Sequence, residues 1–588
     1  MSETEEPLLG DDRRLGGTSG WPAVGKHYDH SRAVSNPVDD PAVAPSDTPT
    51  RDLKIRLSPQ KHVSREPGIQ RYSWNITKET LAPNGVEKKV FLINGLFPGP
   101  TIEARSGDTL EIEVTNFAEE GVSLHWHGLH MRGANQMDGP VGITQCPIKP
   151  GTTFTYRVPV DEQAGTFWYH AHSEVHRGDG LYGGLVIHNP SIQENSTYRY
   201  DEELLFLAGD WYHWPSRKLL EWFEDRTSTG VEPAPDSLLV NGLGQFECSM
   251  AIPSSPVNCT EIERPWLSLD KKKNYRVRLV NVGSMAGFSF TIKDAEMDAI
   301  QIDGGLPITS HTANSIGVLY PAERVDFILR WPDSAADTDS EIIIELDDEY
   351  LVTFPNFALT PTQSYLLAAE SNSRRPMGND TEVEATRFDL REAAGLSLDS
   401  PLPNPQTTYM IYAKVQVMNQ LDDEARSLVN QTIWAPQTLP LLALDRDDWD
   451  KHQLVPWTGS QPVWVELVIN NIDTTGHPFH LHGFDFYVVS RYEGKNGWTA
   501  YNPFGTAPPR GGPFNLKNPI RKDTVYVPRS GYVVIRFLAD NQGIWALHCH
   551  VLWHQASGMT MAFQVLGDER KGYSNSPAGI EAMQRCRA

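Results

Sequence analysis

The 588-residue chain reads as an all-β protein: three consecutive antiparallel β-sandwich domains behind a disordered N-terminal tail. Three observations carry this. Short runs alternate apolar and polar residues, as half-buried strands do. The composition supplies turns in abundance, with 46 glycines and 43 prolines. The first and last thirds also repeat one histidine-bearing pattern at matched spacings, the mark of a duplicated unit.

Taken in order, residues 1–66 are polar and without periodicity, as expected of a disordered tail. The first domain, 67–192, contains "DTLEIEVTN", where Leu110, Ile112 and Val114 alternate with Glu111 and Glu113. The second, 200–370, carries the strand "YRVRLVNV". The third, 400–568, carries "VWVELVINN" and "GYVVIRFLADN", and residues 569–588 form a C-terminal tail.

The repeat is specific. His125 and His127 stand nine and eleven residues after Asn116, and His480 and His482 stand at the same distances after Asn471. His170 and His172 follow Gly165 by five and seven, as His548 and His550 follow Gly543. In the middle third, Phe290 and Ile292 occupy the places of the first pair after Asn281. That domain reads as a sister without ligands.

Residues i and i+2 of a strand share a face, so each His-x-His pair presents two imidazoles together. In "HCHVLWHQASGM", Cys549 must then point away from His548 and His550, toward His554, Met559 and a further histidine, with His477 the natural candidate. Zinc is the competing metal, because tetrahedral histidine sites are common for it. Two histidines, a thiolate and a weak thioether instead make the trigonal site of blue copper. The other eight histidines would line a second, multi-metal centre between the end domains. Since Cys549 is bonded to ligands of that centre, electrons taken singly at one copper have a short path to the other.

"HWHGLHMRGANQMDG", "FWYHAHSEVHRGDGLYGGLVIH", "HPFHLHG" and "HCHVLWHQASGM" resemble the four copper signatures of the multicopper oxidases: laccases, ascorbate oxidases and ferroxidases. The resemblance runs from about residue 70 to 568. It implies three cupredoxin-like Greek-key domains and four copper ions, with O2 reduced to water at a trinuclear cluster. Carried over by motif, His477, Cys549, His554 and Met559 would bind type 1 copper. His125 and His480 would bind type 2, and His127, His170, His172, His482, His548 and His550 the type 3 pair. Asp138 matches an acid beside the cluster that can help deliver protons. Leu552 stands where several members carry an acid, so proton supply would use Asp138 or Asp540. The resemblance also favours disulfides Cys146–Cys586 and Cys248–Cys259.

The donor is less determined. A laccase-like phenol or diphenol oxidase is the first expectation, with Trp211 and Tyr212 as pocket aromatics. A ferroxidase is the alternative, because Glu232 in "TGVEPAPDSLLVNG" and Asp473 in "NNIDTTGH" match acids of a ferrous-iron site beside His477 and His554. Ascorbate oxidase is a third, favoured by Met559 and the disulfide pattern. Copper storage fits poorly, since five cysteines and twelve scattered methionines are few thioligands for a store.

A net charge of -24 disfavours nucleic acid and anionic membranes as partners. No run approaches the roughly 18 apolar residues of a membrane span. The acidic N-terminus lacks the basic and apolar regions of a secretory signal. Disulfides nonetheless favour an extracellular or secretory location, as do the sequons at Asn75, Asn195, Asn258, Asn379 and Asn430.

Overall fold

Each predicted alternating run forms a strand, at Thr109–Asn116, Tyr275–Asn281, Val463–Asn471 and Tyr532–Ala539. In Thr109–Asn116 the inward residues Leu110, Ile112 and Val114 are fully buried. The structure is a computed structural model and describes residues 53–190, 197–253, 256–351, 356–377, 385–495, 497 and 499–587. Asn195 and Asn379 lie outside these residues, as does the predicted tail up to residue 52.

Three sandwiches follow one another. The first packs two four-stranded sheets, the second a seven- and a six-stranded sheet, and the third a six- and a four-stranded sheet. The expectation of purely antiparallel sheets is corrected in each. Ile69–Leu81 runs parallel to Thr109–Asn116, Glu202–Trp211 to Tyr275–Asn281, and Thr407–Met418 to Val463–Asn471. In the first sandwich the chain visits the opposite sheet, through Gly99–Arg105, before returning beside its starting strand. Such a crossover makes the returning strand parallel.

The registers explain the histidine repeat. His125 faces His170 across the antiparallel pair Leu124–His127 and Gly165–Ala171. His480 faces His548 across His477–Leu481 and Gly543–Cys549. In the second sandwich Phe290 and Ile292 are fully buried core residues, so the sister domain spends those positions on packing.

The boundary of the N-terminal tail needs correction. Order begins by Leu53: Leu53 and Ile55 are buried against the second sandwich, and Leu53 N–H donates to the Trp266 carbonyl. The helix Pro59–Val63 follows, with His62 stacked on His188. The alternation in "LKIRL" was the available signal. The C-terminal tail folds as a helix, Pro577–Arg587, pinned by the predicted Cys146–Cys586 disulfide. Cys248–Cys259 also forms. No helix among the described residues is long and apolar enough to cross a membrane.

The first and second sandwiches meet through glycines. A Cβ on Gly165, whose φ is +145°, would come within 2.6 Å of the Gly304 carbonyl carbon. Gly165→Ala should therefore cost at least about 2 kcal/mol through clash and backbone strain. Denaturant unfolding of the metal-free protein checks this, and an unchanged midpoint would refute the close approach.

Candidate metal centres

The strand Gly543–Cys549 and the short helix Leu552–Ala556 build the first centre. Cys549 Sγ lies 3.7 Å from His477 Nδ1 and 3.6 Å from His554 Nδ1, and the two nitrogens are 3.2 Å apart. All three residues are fully buried. Met559, also buried, accepts the Cys549 N–H at its carbonyl, 3.1 Å away.

The outer nitrogen of each imidazole is held by an acid. His477 Nε2 donates to Asp473 Oδ2 at 2.9 Å, and His554 Nε2 to Glu232 Oε1 at 2.8 Å. These bonds aim both Nδ1 atoms at the thiol, the arrangement by which carboxylates orient metal-binding imidazoles. Burial opposes charge on His477, but the Asp473 hydrogen bond and Cys549 outweigh it and raise its pKa to about 10. Burial likewise pushes the Cys549 thiol up, yet His477 and His554 bring it down to about 7.

The second centre lies between the end sandwiches. His127, His170 and His550 form one group of converging nitrogens and His172, His482 and His548 another, while His125 joins His127 and His480. His172 Nε2 is 3.3 Å from His548 Nε2, which is 3.0 Å from His482 Nε2. Burial and neighbouring imidazoles hold His127, His170, His172, His548 and His550 well below the usual histidine range. His482 falls to about 3, with Asp138 opposing. Neutral imidazoles keep a free lone pair for a metal.

Six of the eight rings are anchored through one nitrogen. His125 Nδ1 donates to the Asp138 carbonyl at 2.8 Å and His480 Nδ1 to the Asp523 carbonyl at 2.9 Å. His170 and His548 donate to the Ala171 and Cys549 carbonyls, each at 3.0 Å. His482 Nδ1 bonds Asp138 Oδ2 at 2.8 Å, and His127 Nε2 bonds Thr524 Oγ1 at 3.2 Å. The opposite nitrogens of His125, His127, His170 and His480 are buried with no protein hydrogen-bond partner. Buried polar atoms are normally satisfied, so these orphans fit a metal-binding role. A thiolate among imidazoles at one centre, and imidazoles alone at the other, suits copper.

Other predicted residues fall differently. Asp138 is fully buried at the cluster. Burial opposes its ionisation, but His482 and His125 hold it below the usual carboxylate range. Asp540 pairs with Arg132 at 3.1 Å, partly exposed. Leu552 is buried. Trp211 and Tyr212 are core residues and not pocket walls: Trp211 underlies the Lys88 ammonium, and Tyr212 packs edge-on against Trp553.

Asp523 and Arg324 went unread in the sequence. Asp523 Oδ1 lies 3.4 Å from His127 Nε2, and Arg324 pairs with Asp523 at 2.6 Å. Asp523 precedes the strand Thr524–Val527, whose Thr524 is register-paired with His480. Only that pairing, invisible in local spacing, would have found it.

Known proteins share this sequence and fold. Residues 75–192, 202–338 and 422–569 each match a family model described as multicopper oxidase. Laccase-1 of Cryptococcus neoformans var. grubii is 30% identical over 94% of this chain and 87% of its own length. L-ascorbate oxidase of Cucumis sativus is 30% identical over 84% and 89%. The crystal structure of Fet3p, a multicopper oxidase that functions in iron import, superposes with a TM-score of 0.73 at 26% identity, covering 88% of this chain and 95% of that one.

The thiol shift has a measurable consequence in the metal-free protein. Between pH about 7 and about 10 the buried pair is a thiolate beside a protonated His477. Thiolate absorbance from Cys549, the free cysteine, should rise with a midpoint near pH 7, below the ~8.5 of an ordinary thiol. His477→Ala should move that midpoint upward. A wild-type midpoint above 9 would exclude the pair.

Proposed function

This chain belongs to the multicopper oxidases, copper-dependent oxidoreductases that use dioxygen, and on that footing we propose that its electron donor is ferrous iron. The observation that carries this is the pair of carboxylates, Glu232 and Asp473, bonded to the outer nitrogens of both imidazoles beside Cys549. They put negative oxygen donors at the outer edge of the copper-proximal histidines, which suits a hard cation. Asp473 is 16% exposed, while Glu232 is buried at 7%.

In this reading His477, Cys549, His554 and Met559 hold type 1 copper. His125 and His480 hold type 2, and His127, His170, His172, His482, His548 and His550 hold the type 3 pair. Copper in those sites would supply one-electron oxidation of the donor and four-electron reduction of dioxygen to water. The protein's part is positioning. Glu232 and Asp473 hold the imidazole edges and attract the cation, while Asp138 fixes His482 and His125 and keeps a carboxylate within proton-transfer reach of the cluster. The sheets bury seven of the eight cluster histidines. Two disulfides suit an extracellular or secretory compartment.

A phenol or diphenol is the second reading. Glu232 can accept a phenolic proton as the ring loses its electron, and the laccase relative supports it.

Oxygen uptake with ferrous iron, a diphenol and ascorbate, compared by kcat/KM, tests the choice. Glu232→Gln with Asp473→Asn keeps hydrogen-bond acceptors while removing charge. It should lower kcat/KM for ferrous iron by about tenfold or more and for a diphenol by less than about threefold. Equal losses for every donor would refute the iron reading.

Met559 gives a separate check. A thioether donor stabilises Cu(II), so Met559→Leu should raise the type 1 potential. Redox titration of the thiolate absorption band reads it, and an unchanged potential would remove Met559 from the site.

A further inference from the structure

Cys549 and His550 are neighbours in the chain, so the backbone between them links the first centre to the second. His550 is also the cluster histidine whose two ring nitrogens are both buried with no hydrogen-bond partner. A copper in the group His127, His170 and His550 would engage one of them and leave the other unheld. A metal-binding imidazole is normally fixed by a carbonyl or carboxylate at that other nitrogen. His550 is fixed through its backbone instead. Its N–H donates to the Pro478 carbonyl at 2.6 Å, and its carbonyl accepts from Arg177 Nη2 at 2.8 Å.

Arg177 is built for that task. It is buried, and its other terminal nitrogen donates to the Gly283 carbonyl of the second sandwich. A guanidinium presents its donors in a rigid fork, and its charge strengthens each bond. Arg177 lies on the short 3-10 helix His176–Asp179 of the first sandwich. The buried Lys88 pins that helix, its Nζ reaching Asp179 Oδ1 and the Gly178 carbonyl at 3.0 Å each. Ser216 adds its N–H and hydroxyl to Asp179 at 2.9 and 2.8 Å. The loop bearing Gly283 is held as firmly. Asp210, whose charge supports the Arg177 guanidinium, accepts the N–H groups of Ser284 and Met285 at 2.6 and 3.1 Å. The Ser284 carbonyl in turn accepts the Leu552 N–H at 2.8 Å. The segment from His550 to Leu552, which runs from a ligand of one centre toward His554 of the other, is thus gripped by the first sandwich at one end and the second at the other.

We propose that Arg177 is a positioning residue of the electron link: it holds His550 from the backbone, in place of the missing anchor on the ring, and so sets both copper retention at the cluster and electron passage into it. This rests on the reading that His127, His170 and His550 hold one copper.

The test uses the full copper-loaded chain. Copper per chain is followed as EDTA is titrated in, with the type 1 absorption band reporting the first centre separately. Arg177→Gln with Asp210→Asn removes both buried charges, so the fold is spared an unpaired one. The double variant should release cluster copper at about tenfold lower EDTA, the usual effect of losing a group that orients a metal ligand. Its type 1 band should survive to the wild-type concentration. Arg177→Lys keeps the charge and reaches one carbonyl of the two, so it should fall between. At full copper, an anaerobic electron pulse that bleaches the type 1 band reads the link itself, and the band should recover about tenfold more slowly in the double variant. Copper release and band recovery both within about twofold of wild type overturn the proposal. Loss of the type 1 band together with cluster copper also overturns it, since Arg177 would then be a structural residue. Failure of the underlying reading looks different: the wild-type band would then never recover after the pulse.

Discussion

The ion pair between Arg324 and Asp523 ties the three sandwiches to the metal centre. Arg324 belongs to the second sandwich and donates to Asp523 of the third at 2.7 and 2.6 Å and to the Thr166 carbonyl of the first at 3.1 Å. Both side chains are essentially inaccessible. Desolvating two such ions costs several kcal/mol each, recovered only with near-ideal geometry, and removing one partner of such a pair typically costs about 3–5 kcal/mol. The geometry here is bidentate. Asp303, also of the second sandwich, accepts the backbone N–H groups of Asp523 and Thr524 at 3.0 and 3.3 Å. The loop bearing Asp523 is thus held from outside its own domain, and Asp523 in turn sits against His127 and His480. Gly128 is part of the same fit, since a Cβ there would meet Arg324 Nη2 at 2.6 Å and Asp523 Oδ2 at 2.9 Å. A sandwich with no ligands is needed because it supplies the clamp.

Asp523 also completes a symmetry that the histidines only suggest. In the first sandwich His125 bonds the Asp138 carbonyl and His170 bonds the carbonyl of the next residue. In the third, His480 bonds the Asp523 carbonyl and His548 the carbonyl of the next residue. The carboxylates cross over: Asp138 reaches His482 of the third sandwich, and Asp523 reaches His127 of the first. Each half therefore orients an imidazole of the other. Bringing the halves together anchors one nitrogen of His127 and of His482 from the opposite sandwich and leaves the other to face the cluster.

This crossing marks the limit of what the chain discloses as a string. The strands, the paired histidines and the side of the strand on which Cys549 lies follow from alternation alone, and Phe290 and Ile292 proclaim a ligand-free domain. Glu232 and Asp473 are legible through motif likeness, and they stand 2.8 and 2.9 Å from His554 and His477. Trp211 and Tyr212 misled because aromatic residues near a site are indistinguishable, in sequence, from those that pack beneath it. Residues 53–66 resemble a tail in sequence because the alternation of Leu53, Ile55 and Leu57 is too short to stand out from polar surroundings. Asp138 lies 13 residues from His125, within reach of a local motif. Asp523 lies 43 from His480, and Arg324 199 from Asp523. Those contacts exist only once sheets have paired.

The pseudo-symmetric acids differ in one respect that bears on metal binding. Asp523 is neutralised by Arg324, and the buried Arg177 that donates to the His550 carbonyl has Asp210 nearby to balance it. Asp138 has only imidazoles for company, His125 and His482, and no guanidinium or ammonium is paired with it among the described residues. Without metal, the core between the end sandwiches therefore carries one buried carboxylate whose only ion-pair partners among the described residues are imidazoles. A buried charge in that position is costly. Cations placed among the imidazoles supply the missing charge, so occupancy of the cluster and stability of the folded chain are linked. The same imbalance directs the site toward cations, because neutralising Asp138 by protonation would surrender its hold on His482.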